Sequence, residues 1–335
     1  MTADYEPPCT LTAALVTQVA RIAERAGARA VLASTRDLRL RRSQRVRTVQ
    51  SSLAIEGNTL DEEQITAILE GKRVVGPPRE ILEAKNALDA YERMEDWDPS
   101  SIDDLLRAHG VLMAGLVADA GAFRSKGVGV VSGERVIHMA PPAIRVHDAV
   151  SDLVSWLAET EAHPLLASSL FHYELEFIHP FSDGNGRMGR LWQTLILTRW
   201  NPLFTDVPVE SQVRERQPQY YAALNASNER GDAEPFVSFM LSAIEDALDT
   251  DQVRDQVTDQ VAALLEALQR GPAGTLELLD HLGLSHRPNF RANYLRPALD
   301  GGWIERTQPD APRSPTQKYR LTPRGKRWLA GVRGL

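Results

Sequence analysis

Residues His179 to Arg190 carry the sequence H-P-F-S-D-G-N-G-R-M-G-R, and this stretch decides how the rest of the chain is interpreted. Histidine has the ordinary pKa that best suits proton abstraction near neutral pH, so His179 is a candidate general base. The carboxylate of Asp183 is a hard oxygen ligand, which Mg²⁺ prefers together with substrate phosphates. Arg187 and Arg190 are three residues apart, so on a helix both guanidinium groups share a face and can bind phosphate oxygens. The stretch therefore predicts phosphoryl or nucleotidyl transfer.

The residues between these groups, Gly184, Asn185 and Gly186, predict a backbone cradle for an anion. Glycine and asparagine tolerate the positive φ angles that turn successive N–H groups toward one point. The largely apolar run 191–200 contains neither glycine nor proline and predicts a helix. The N-terminus of that helix would add the positive end of a helix dipole to the same place.

Two other phosphate-binding motifs are alternatives for this stretch. Gly184–Gly189 also matches G-x-G-x-x-G, the dinucleotide-binding pattern, which requires a strand before it. Apolar residues recur at helical spacing there and predict a helix instead: Leu166, Leu170, Tyr173 and Phe177. The chain contains no G-x-x-x-x-G-K-[ST] sequence, so a Walker A loop is excluded. A histidine in a loop is more often structural than catalytic, but the neighbouring aspartate, glycines and paired arginines favour the catalytic interpretation.

His179–Arg190 resembles the signature of the Fic family, H-x-F-x-[DE]-G-N-G-R-x-x-R, and agrees with it at every fixed position. The resemblance implies a mainly α-helical fold whose members typically transfer AMP from ATP to a protein hydroxyl group. It implies that His179 deprotonates the acceptor, that Asp183 binds Mg²⁺ or Mn²⁺, and that the signature glycines and asparagine cradle phosphates. It further implies that Arg187 contacts phosphate oxygens and that Arg190 holds the γ-phosphate.

The segment 51–58, S-S-L-A-I-E-G-N, by itself predicts only a helix that ends at a Gly or Asn C-cap. Many Fic proteins carry an inhibitory helix with the motif [ST]-x-x-x-E-[GN], and Ser52, Glu56 and Gly57 match that motif in register. The resemblance implies that Glu56 reaches Arg190 and blocks productive binding of the γ-phosphate. It therefore implies an autoinhibited enzyme with an inhibitory helix at about 45–58.

Two further segments complete the expected site. Gly127–Ala140 carries β-branched residues on both sides of a Ser-Gly pair and predicts a short hairpin. The family has such a hairpin, the flap, which aligns the target segment by strand addition. The resemblance also implies that Tyr221, Leu224 and Asn228 surround the adenine, whose edge an Asn amide suits because the amide both donates and accepts. Packing within a helix is the alternative role for Tyr221 and Leu224.

Length and composition indicate a globular protein of two or three domains. The chain has 335 residues, of which 43% are hydrophobic and 25% are charged. No apolar run approaches 18 residues and the first ten residues lack an apolar signal segment, so we expect neither a membrane span nor secretion. Cys9 is the only cysteine, which excludes intrachain disulfides and cysteine-based zinc sites and agrees with a cytoplasmic location.

The C-terminal segment has the opposite charge to the rest of the chain. Residues 271–335 contain eleven Lys and Arg against five Asp and Glu, a net charge of +6, whereas the whole chain has −7. A helix at 276–282, a turn, a second helix at about 287–299 and two short strands predict a winged helix. The second helix and the residue before it carry side chains suited to DNA: His286, Arg287, Asn289, Arg291 and Asn293. Winged helices also dock proteins, so DNA and protein stand as equal alternatives.

The sequence thus predicts a mainly α protein in three regions: a helical region with the inhibitory helix at 1–98, a Fic core with the flap and the signature at 99–249, and a winged helix at 250–335. The resemblance implies an autoinhibited protein adenylyltransferase that modifies Ser, Thr or Tyr. The alternatives are a Fic-fold enzyme that uses another nucleotide, transfers phosphate or removes AMP, and a DNA-binding regulator that senses nucleotide. Expected partners are ATP with Mg²⁺ or Mn²⁺, a target protein at the flap, the chain itself as an acceptor, DNA, and a second copy in a homodimer, but no membrane.

Overall fold

The computed structural model describes residues 5–33, 38–127, 129–132, 135–255, 259–284, 286–309, 314 and 316–333. The chain divides into two compact units, Met1–Leu248 and Asp249–Leu335. Helices predominate in both units, and the strands form one two-stranded and one three-stranded sheet. The mainly α class predicted from the sequence is confirmed. Among the helices within these ranges, none is long and apolar enough to cross a membrane.

In the described part of the chain, five α-helices come before the hairpin. They are α1 Ala13–Ala33, α2 Leu38–Ile55, α3 Glu62–Leu69, α4 Pro78–Glu92 and α5 Ile102–Leu112. Side-chain caps set two of the starts, because Asp61 Oδ1 accepts the N–H of Gln64 at 2.8 Å and Ser101 Oγ accepts the N–H of Asp104 at 3.2 Å. The segment predicted as an inhibitory helix at about 45–58 is the second half of the longer α2 and the turn that follows it.

Among the described residues, the hairpin and six more α-helices follow, and the last of these helices ends beyond the boundary of the first unit at Leu248. The strands β1 Gly129–Ser132 and β2 Arg135–Met139 pair antiparallel, with Gly129 opposite Met139. The predicted hairpin is therefore present, although its turn at 133–134 lies outside the described residues. The helices that follow are α6 Ala143–Glu159, α7 Pro164–Ile178, α8 Asn185–Trp200, α9 Val209–Glu215, α10 Gln217–Arg230 and α11 Glu234–Asp255.

Helices α7 and α8 form the centre of the first unit, and both are buried along nearly their whole length. One polar side chain that they bury, His172, has a partner for each of its ring nitrogens. His172 Nδ1 lies 2.7 Å from Gln193 Oε1, and its Nε2 lies 3.2 Å from the Tyr220 hydroxyl. Burial lowers the pKa of His172 to about 3, so the ring is neutral. Gly189 lies against this ring, where a Cβ would overlap it. The two helices are therefore closely packed at this point.

The second unit has its own core. Its helices are α12 Asp259–Ala267, α13 Thr275–His281, α14 Arg287–Phe290, α15 Arg296–Asp300 and α16 Pro323–Arg333, with a π-helical turn at Arg291–Leu295. The strands β3 Ala273–Gly274, β4 Ile304–Arg306 and β5 Lys318–Leu321 form an antiparallel sheet in the order β3-β5-β4. Phe290 and Trp303 are fully buried within this core. The two helices and two strands predicted here are present, and β3 and α16 are additional. The interpretation as a winged helix stays a prediction.

Candidate active site

His179 lies at the C-terminal end of α7 in the left-handed conformation, with φ 49° and ψ 60°. Within the described ranges it is the only residue other than glycine with a positive φ. Its N–H donates to the Leu175 carbonyl at 2.9 Å, and its own carbonyl accepts from Arg124 Nε at 2.7 Å. Such a conformation costs free energy and persists only where neighbouring contacts enforce it. The predicted base therefore lies at an enforced bend of the chain.

Two side chains hold the loop that follows His179. The Asn185 amide accepts the N–H of Phe181 and donates to the Phe181 carbonyl, both at 2.9 Å. The ring of His109 stacks on Phe181 with centroids 3.7 Å apart. Because the N–H of Gly121 donates to His109 Nδ1 at 2.9 Å, the ring proton is on Nε2, which donates to the Asp183 carbonyl at 3.0 Å. Burial lowers the pKa of His109 and favours this neutral form.

The part of the loop that can face a phosphate is its backbone, because the Asn185 side chain is used inside the loop. Gly184 has φ 86°, and a Cβ there would lie 2.7 Å from Met113 Sδ. Both the φ angle and the available space therefore require glycine at this position. The N–H groups of Asn185, Gly186 and Arg187 lie in the first turn of α8, where an N–H has no intrahelical acceptor. They can therefore bind an anion.

The start of α8 differs from the sequence-based expectation. The helix begins at Asn185, six residues before the predicted start at Leu191, so the predicted signature loop 179–190 is half loop and half helix. The physical reason is that Gly184 supplies the sharp turn in a single residue, after which nothing prevents helix formation. Both signature arginines consequently project from helical backbone, one turn apart.

Arg187 and Asp183 face each other across this first turn. Arg187 Nη2 donates to Asp183 Oδ1 at 3.0 Å, and Arg187 Nη1 lies 3.7 Å from Glu83 Oε1. The other oxygen of Asp183 lies 3.5 Å from Arg79 Nη2. Arg187 is buried, and its Nε has no hydrogen-bond partner in the described part of the chain. A buried donor without a partner costs about 1–3 kcal/mol. An unused donor beside a helix N-terminus suits an anionic ligand.

Asp183 is the carboxylate that this site offers to a divalent cation. Its side chain is 42% exposed, so a ligand can reach it. Across the described ranges, no group of three or more His, Cys, Asp or Glu side chains could hold a metal ion by itself. Mg²⁺ commonly binds through one or two carboxylates plus substrate phosphates and keeps several waters. Asp183 therefore fits a metal that binds together with a nucleotide better than a preformed metal centre.

Arg190 is bound by the end of α2. Its Nε donates to Ser52 Oγ at 3.0 Å, and its Nη2 donates to the Ser52 carbonyl at 3.1 Å and to Glu56 Oε1 at 2.7 Å. Arg190 is only 2% exposed, and no described group accepts from its buried Nη1. Gly57, with φ 89°, turns the chain away directly after Glu56. The structure thus places Ser52 and Glu56, the predicted inhibitory residues, in contact with Arg190, the residue predicted to bind the γ-phosphate.

A second carboxylate, which the sequence analysis missed, lies beside this ion pair. A Cβ on Gly186 would lie 2.5 Å from Glu56 Oε1, 3.1 Å from Arg190 Nη1 and 3.2 Å from Glu176 Oε1, so the three groups surround one point. Burial and the charge of Glu56 raise the pKa of Glu176 to about 7. The available signal was the spacing between Glu176 and His179, because residues three apart share a helix face.

Contacts outside the site hold α2 in place. Ser51 Oγ lies 3.0 Å from Ser211 Oγ on α9, and Gln217 Nε2 donates to the Ile55 carbonyl at 2.8 Å. The end of α2 is therefore seated on α9 and α10 independently of the arginine that it covers.

The three residues predicted around the adenine share one face of α10. Tyr221 is 42% exposed, whereas Leu224 and Asn228 are half-buried. Asn228 Oδ1 accepts from the Tyr173 hydroxyl at 3.1 Å, which ties this face to α7. Their spacing explains the shared face, since residues three and four apart are neighbours on a helix. Their role toward adenine stays a prediction.

Comparisons with known proteins show similarity in sequence and in fold. The profile described as Fic/DOC family matches residues 99–197, and the profile described as Filamentation induced by cAMP protein Fic-like, C-terminal domain, matches residues 259–322. The crystal structure of a Fic family protein from Desulfovibrio desulfuricans G20 is 57% identical, with a TM-score of 0.73, and covers 95% of this chain and 99% of its own. Fic-1 from C. elegans is 26% identical, with a TM-score of 0.59 and 71% of each chain covered.

Curated relatives are similar over part of the chain. Protein adenylyltransferase Fic of Nematostella vectensis is 33% identical over 213 residues, which are 60% of this chain and 47% of that protein. Protein adenylyltransferase fic-1 of Caenorhabditis elegans is 33% identical over 205 residues, which are 57% of this chain and 38% of that protein. The matched region thus spans less than half the length of either relative.

Proposed function

The chain belongs to the Fic family, and from this membership and the geometry of its site we propose that it is a protein adenylyltransferase held inactive by its own α2. The observation that carries the proposal is the set of bonds from Ser52 and Glu56 to Arg190, made while the rest of the signature is already formed. The donor is ATP and the acceptor is a hydroxyl side chain of a protein.

The donor site is built around the N-terminus of α8. The phosphates lie against the first N–H groups of α8, where the dipole favours negative charge, and Arg187 supplies its unused Nε. Asp183 would hold Mg²⁺ or Mn²⁺, which neutralises charge on the pyrophosphate as it leaves. His179 takes the proton of the acceptor hydroxyl, whose oxygen bonds to the α-phosphorus as the bond to pyrophosphate breaks.

Autoinhibition is a competition for one edge of the Arg190 guanidinium. Glu56 and Ser52 occupy Nε and Nη2, the edge that would otherwise grip a phosphate as a fork. A charge-assisted hydrogen bond contributes about 1.5–3 kcal/mol. That energy opposes the productive γ-phosphate position by about ten- to a hundredfold.

The acceptor segment docks at the hairpin. In the described chain this sheet consists of β1 and β2 alone, so it has an edge to which an extended segment can add as a strand. Main-chain pairing of that kind places alternate side chains on one face, and one of these is the hydroxyl that is modified. We infer that both a separate target protein and a segment of this chain can act as the acceptor.

The decisive experiment incubates the Glu56→Gly protein with each α-labelled nucleoside triphosphate and with γ-labelled ATP, then maps labelled peptides by mass spectrometry. AMP on Ser, Thr or Tyr that disappears in the Glu56→Gly/His179→Ala protein supports the proposal. Incorporation of label from an α-labelled nucleotide other than ATP would show that the donor is that nucleotide. Incorporation of label from γ-labelled ATP would show that the protein transfers phosphate. No incorporation from any donor would overturn the assignment as a transferase.

We further propose that the second unit binds DNA through α14 and the π-helical turn that follows it. The side chains predicted to contact DNA are exposed on this segment: His286, Arg287, Asn289, Arg291 and Asn293. Phe290 and Leu295 are buried behind them, so the polar face is presented by a packed helix. Exposed arginines and asparagines at helical spacing suit phosphates and base edges.

The test is an electrophoretic shift of genomic fragments by the whole chain over a series of salt concentrations. Arg287→Ala/Arg291→Ala should weaken binding and lower the salt dependence by about 0.9 log units per log salt for each DNA phosphate that the variant no longer neutralises. Arg93→Ala, which removes an exposed arginine of the first unit, is the charge control. Equal shifts for all three proteins would overturn DNA binding by this face.

A further inference from the structure

Arg124 is a buried arginine that the donor site does not use. It follows α5 and stands two residues before Lys126, where the chain leaves for the hairpin. The side chain is only 4% exposed, and burial lowers its pKa. A buried charge is costly unless its donors are satisfied, so the partners of this guanidinium show what it does.

The hydrogen bonds of this guanidinium go to backbone carbonyls. Nε donates to His179 at 2.7 Å, Nη1 donates to Lys126 at 2.8 Å, and Nη2 donates to Pro141 at 2.6 Å and to Ile178 at 3.3 Å. The backbone N–H of Arg124 donates to the Pro180 carbonyl at 2.9 Å. In the described part of the chain no carboxylate bonds to this guanidinium. Carbonyl dipoles at the end of α7 carry the negative end of the helix dipole and stabilise the positive charge instead.

These carbonyls belong to three segments that the proposed reaction requires: the two ends of the hairpin and the turn that carries His179. Lys126 lies where the chain enters the hairpin, Pro141 lies where it leaves, and His179 is the base in its left-handed conformation. A two-stranded hairpin is marginally stable by itself, so its position depends on how its two ends are held. The rigid, planar guanidinium of Arg124 bonds both ends of the hairpin and the backbone carbonyl of His179.

We propose that Arg124 is a positioning residue for transfer, because its guanidinium holds both ends of the hairpin and the backbone of His179 in one frame. An acceptor segment paired with the hairpin then presents its hydroxyl at a fixed distance from the base. The inference rests on the proposed adenylyltransferase function. Reacting groups must be held within a fraction of an ångström, and a displacement of about 1 Å costs about a hundredfold in rate.

Lysine cannot replace arginine in this role. The guanidinium directs its N–H groups outward in a fixed fork and so reaches carbonyls on three sides, whereas the lysine ammonium is a single point on a flexible stem. Arg124→Lys therefore keeps the positive charge but cannot bond the carbonyls of all three segments at once. Arg199 offers a matched control, because its Nη2 also donates to two backbone carbonyls, those of Glu95 at 2.7 Å and Trp97 at 2.8 Å, at the far end of α8.

The experiment compares Glu56→Gly, Glu56→Gly/Arg124→Lys and Glu56→Gly/Arg199→Lys. It measures AMP incorporation into the acceptor identified by peptide mapping, AMP released to water, and amide hydrogen exchange of 129–132 and 135–139. Transfer to water needs the donor site and the base but not the hairpin. Arg124→Lys should lower incorporation about a hundredfold, because both the hairpin and His179 lose their support. Release of AMP to water should fall only about tenfold, because of these two it depends on His179 alone, so the ratio of incorporation to release should fall about tenfold. Exchange should rise in the hairpin and stay unchanged at 259–309.

Each other outcome has a distinct meaning. An unchanged ratio, an exchange increase spread over the whole chain, or the same changes in Arg199→Lys would overturn the positioning role and leave the proposed function standing. Loss of the folded state in Arg124→Lys, judged by circular dichroism, would show that the guanidinium holds the fold and would also overturn it. An absence of incorporation in Glu56→Gly itself would overturn the proposed function, and this inference would fall with it.

Discussion

The end of α2 and the base of the hairpin each bond an arginine beside the active site, but they do so with different atoms. α2 reaches Arg190 mainly through side chains, the carboxylate of Glu56 and the hydroxyl of Ser52. The hairpin base reaches Arg124 through backbone carbonyls alone. A carboxylate on an arginine can be exchanged for a phosphate of similar geometry, whereas a buried carbonyl has no competing ligand. The first contact is thus suited to release and the second to permanent support.

The largest expected effect is at His179, whose carbonyl accepts from Arg124 at the hairpin base. His179→Ala should lower AMP transfer by about 10²–10⁴, because it removes the proposed general base. Affinity for ATP should stay unchanged, since the base acts on the acceptor and not on the donor. Transfer with α-labelled ATP and binding of a fluorescent ATP analogue, both in the Glu56→Gly background, provide the measurement. Undiminished transfer would mean that His179 is not the base.

The release of α2 is tested by replacing Glu56. Glu56→Gly should raise the initial rate of AMP transfer about ten- to a hundredfold, because it frees the Nη2 of Arg190. Glu56→Gln keeps the helix end and removes only the charge, so it should also activate, though less. Glu92→Gln, on the exposed face of α4, is the control. If Glu56→Gly and wild type had equal rates, the contact would be a helix end without a regulatory role.

A pH-dependent stability is expected for the α2 contact and not for the hairpin base, because the carboxylate of Glu176 lies beside Glu56 at the end of α2. Its pKa of about 7 in the folded protein exceeds the ordinary 4.5, so its contribution to stability is complete below pH 4.5 and is lost as the pH rises through 7. Solvent screening of this half-buried group leaves a loss of about 1–2 kcal/mol. Glu176→Gln should abolish the loss. Denaturant unfolding at pH 5 and pH 8 measures it, and a wild-type protein that gains stability over Glu176→Gln at pH 8 would contradict it.

The smallest expected effect concerns the second unit. Deletion of 256–335, which leaves α11 whole, should not change AMP transfer by the Glu56→Gly protein. Every residue placed at the donor site, the α2 contact and the hairpin base belongs to the first unit. Transfer rates of full-length and shortened proteins, compared after both are shown to be folded, provide the measurement. A folded but inactive shortened protein would extend the site into the second unit.

Local spacing made much of the site predictable. The signature residues lie within twelve positions, so the pairing of Asp183 with Arg187 follows from helical geometry once α8 begins. The resemblance to the Fic family implied that Glu56 reaches Arg190, and the structure shows that Ser52 bonds Arg190 as well. The start of α8 was missed by six residues, since the sequence does not show that Gly184 completes the turn alone.

Contacts with backbone could not be predicted in the same way. Every residue has a carbonyl, so nothing in the sequence marks the four that Arg124 binds. His109 was missed for the same reason, since it holds the loop through the Asp183 carbonyl and the N–H of Gly121. Glu176 carried a local signal in its spacing from His179, but its raised pKa depends on Glu56, which is distant in the chain.

The sequence by itself determined the helical class and the residue types of the signature, because each depends on side chains a few positions apart along one helix or turn, and the resemblance to the Fic family named the candidate inhibitory residues. Only the tertiary structure decided which groups meet: α2 with Arg190, the hairpin ends with Arg124, and Glu176 with Glu56. Those meetings join residues separated by long stretches of chain, and packing around the buried α7 and α8 brings them together. The left-handed bend at His179 was decided in the same way, since an unfavourable backbone conformation exists only where surrounding contacts enforce it.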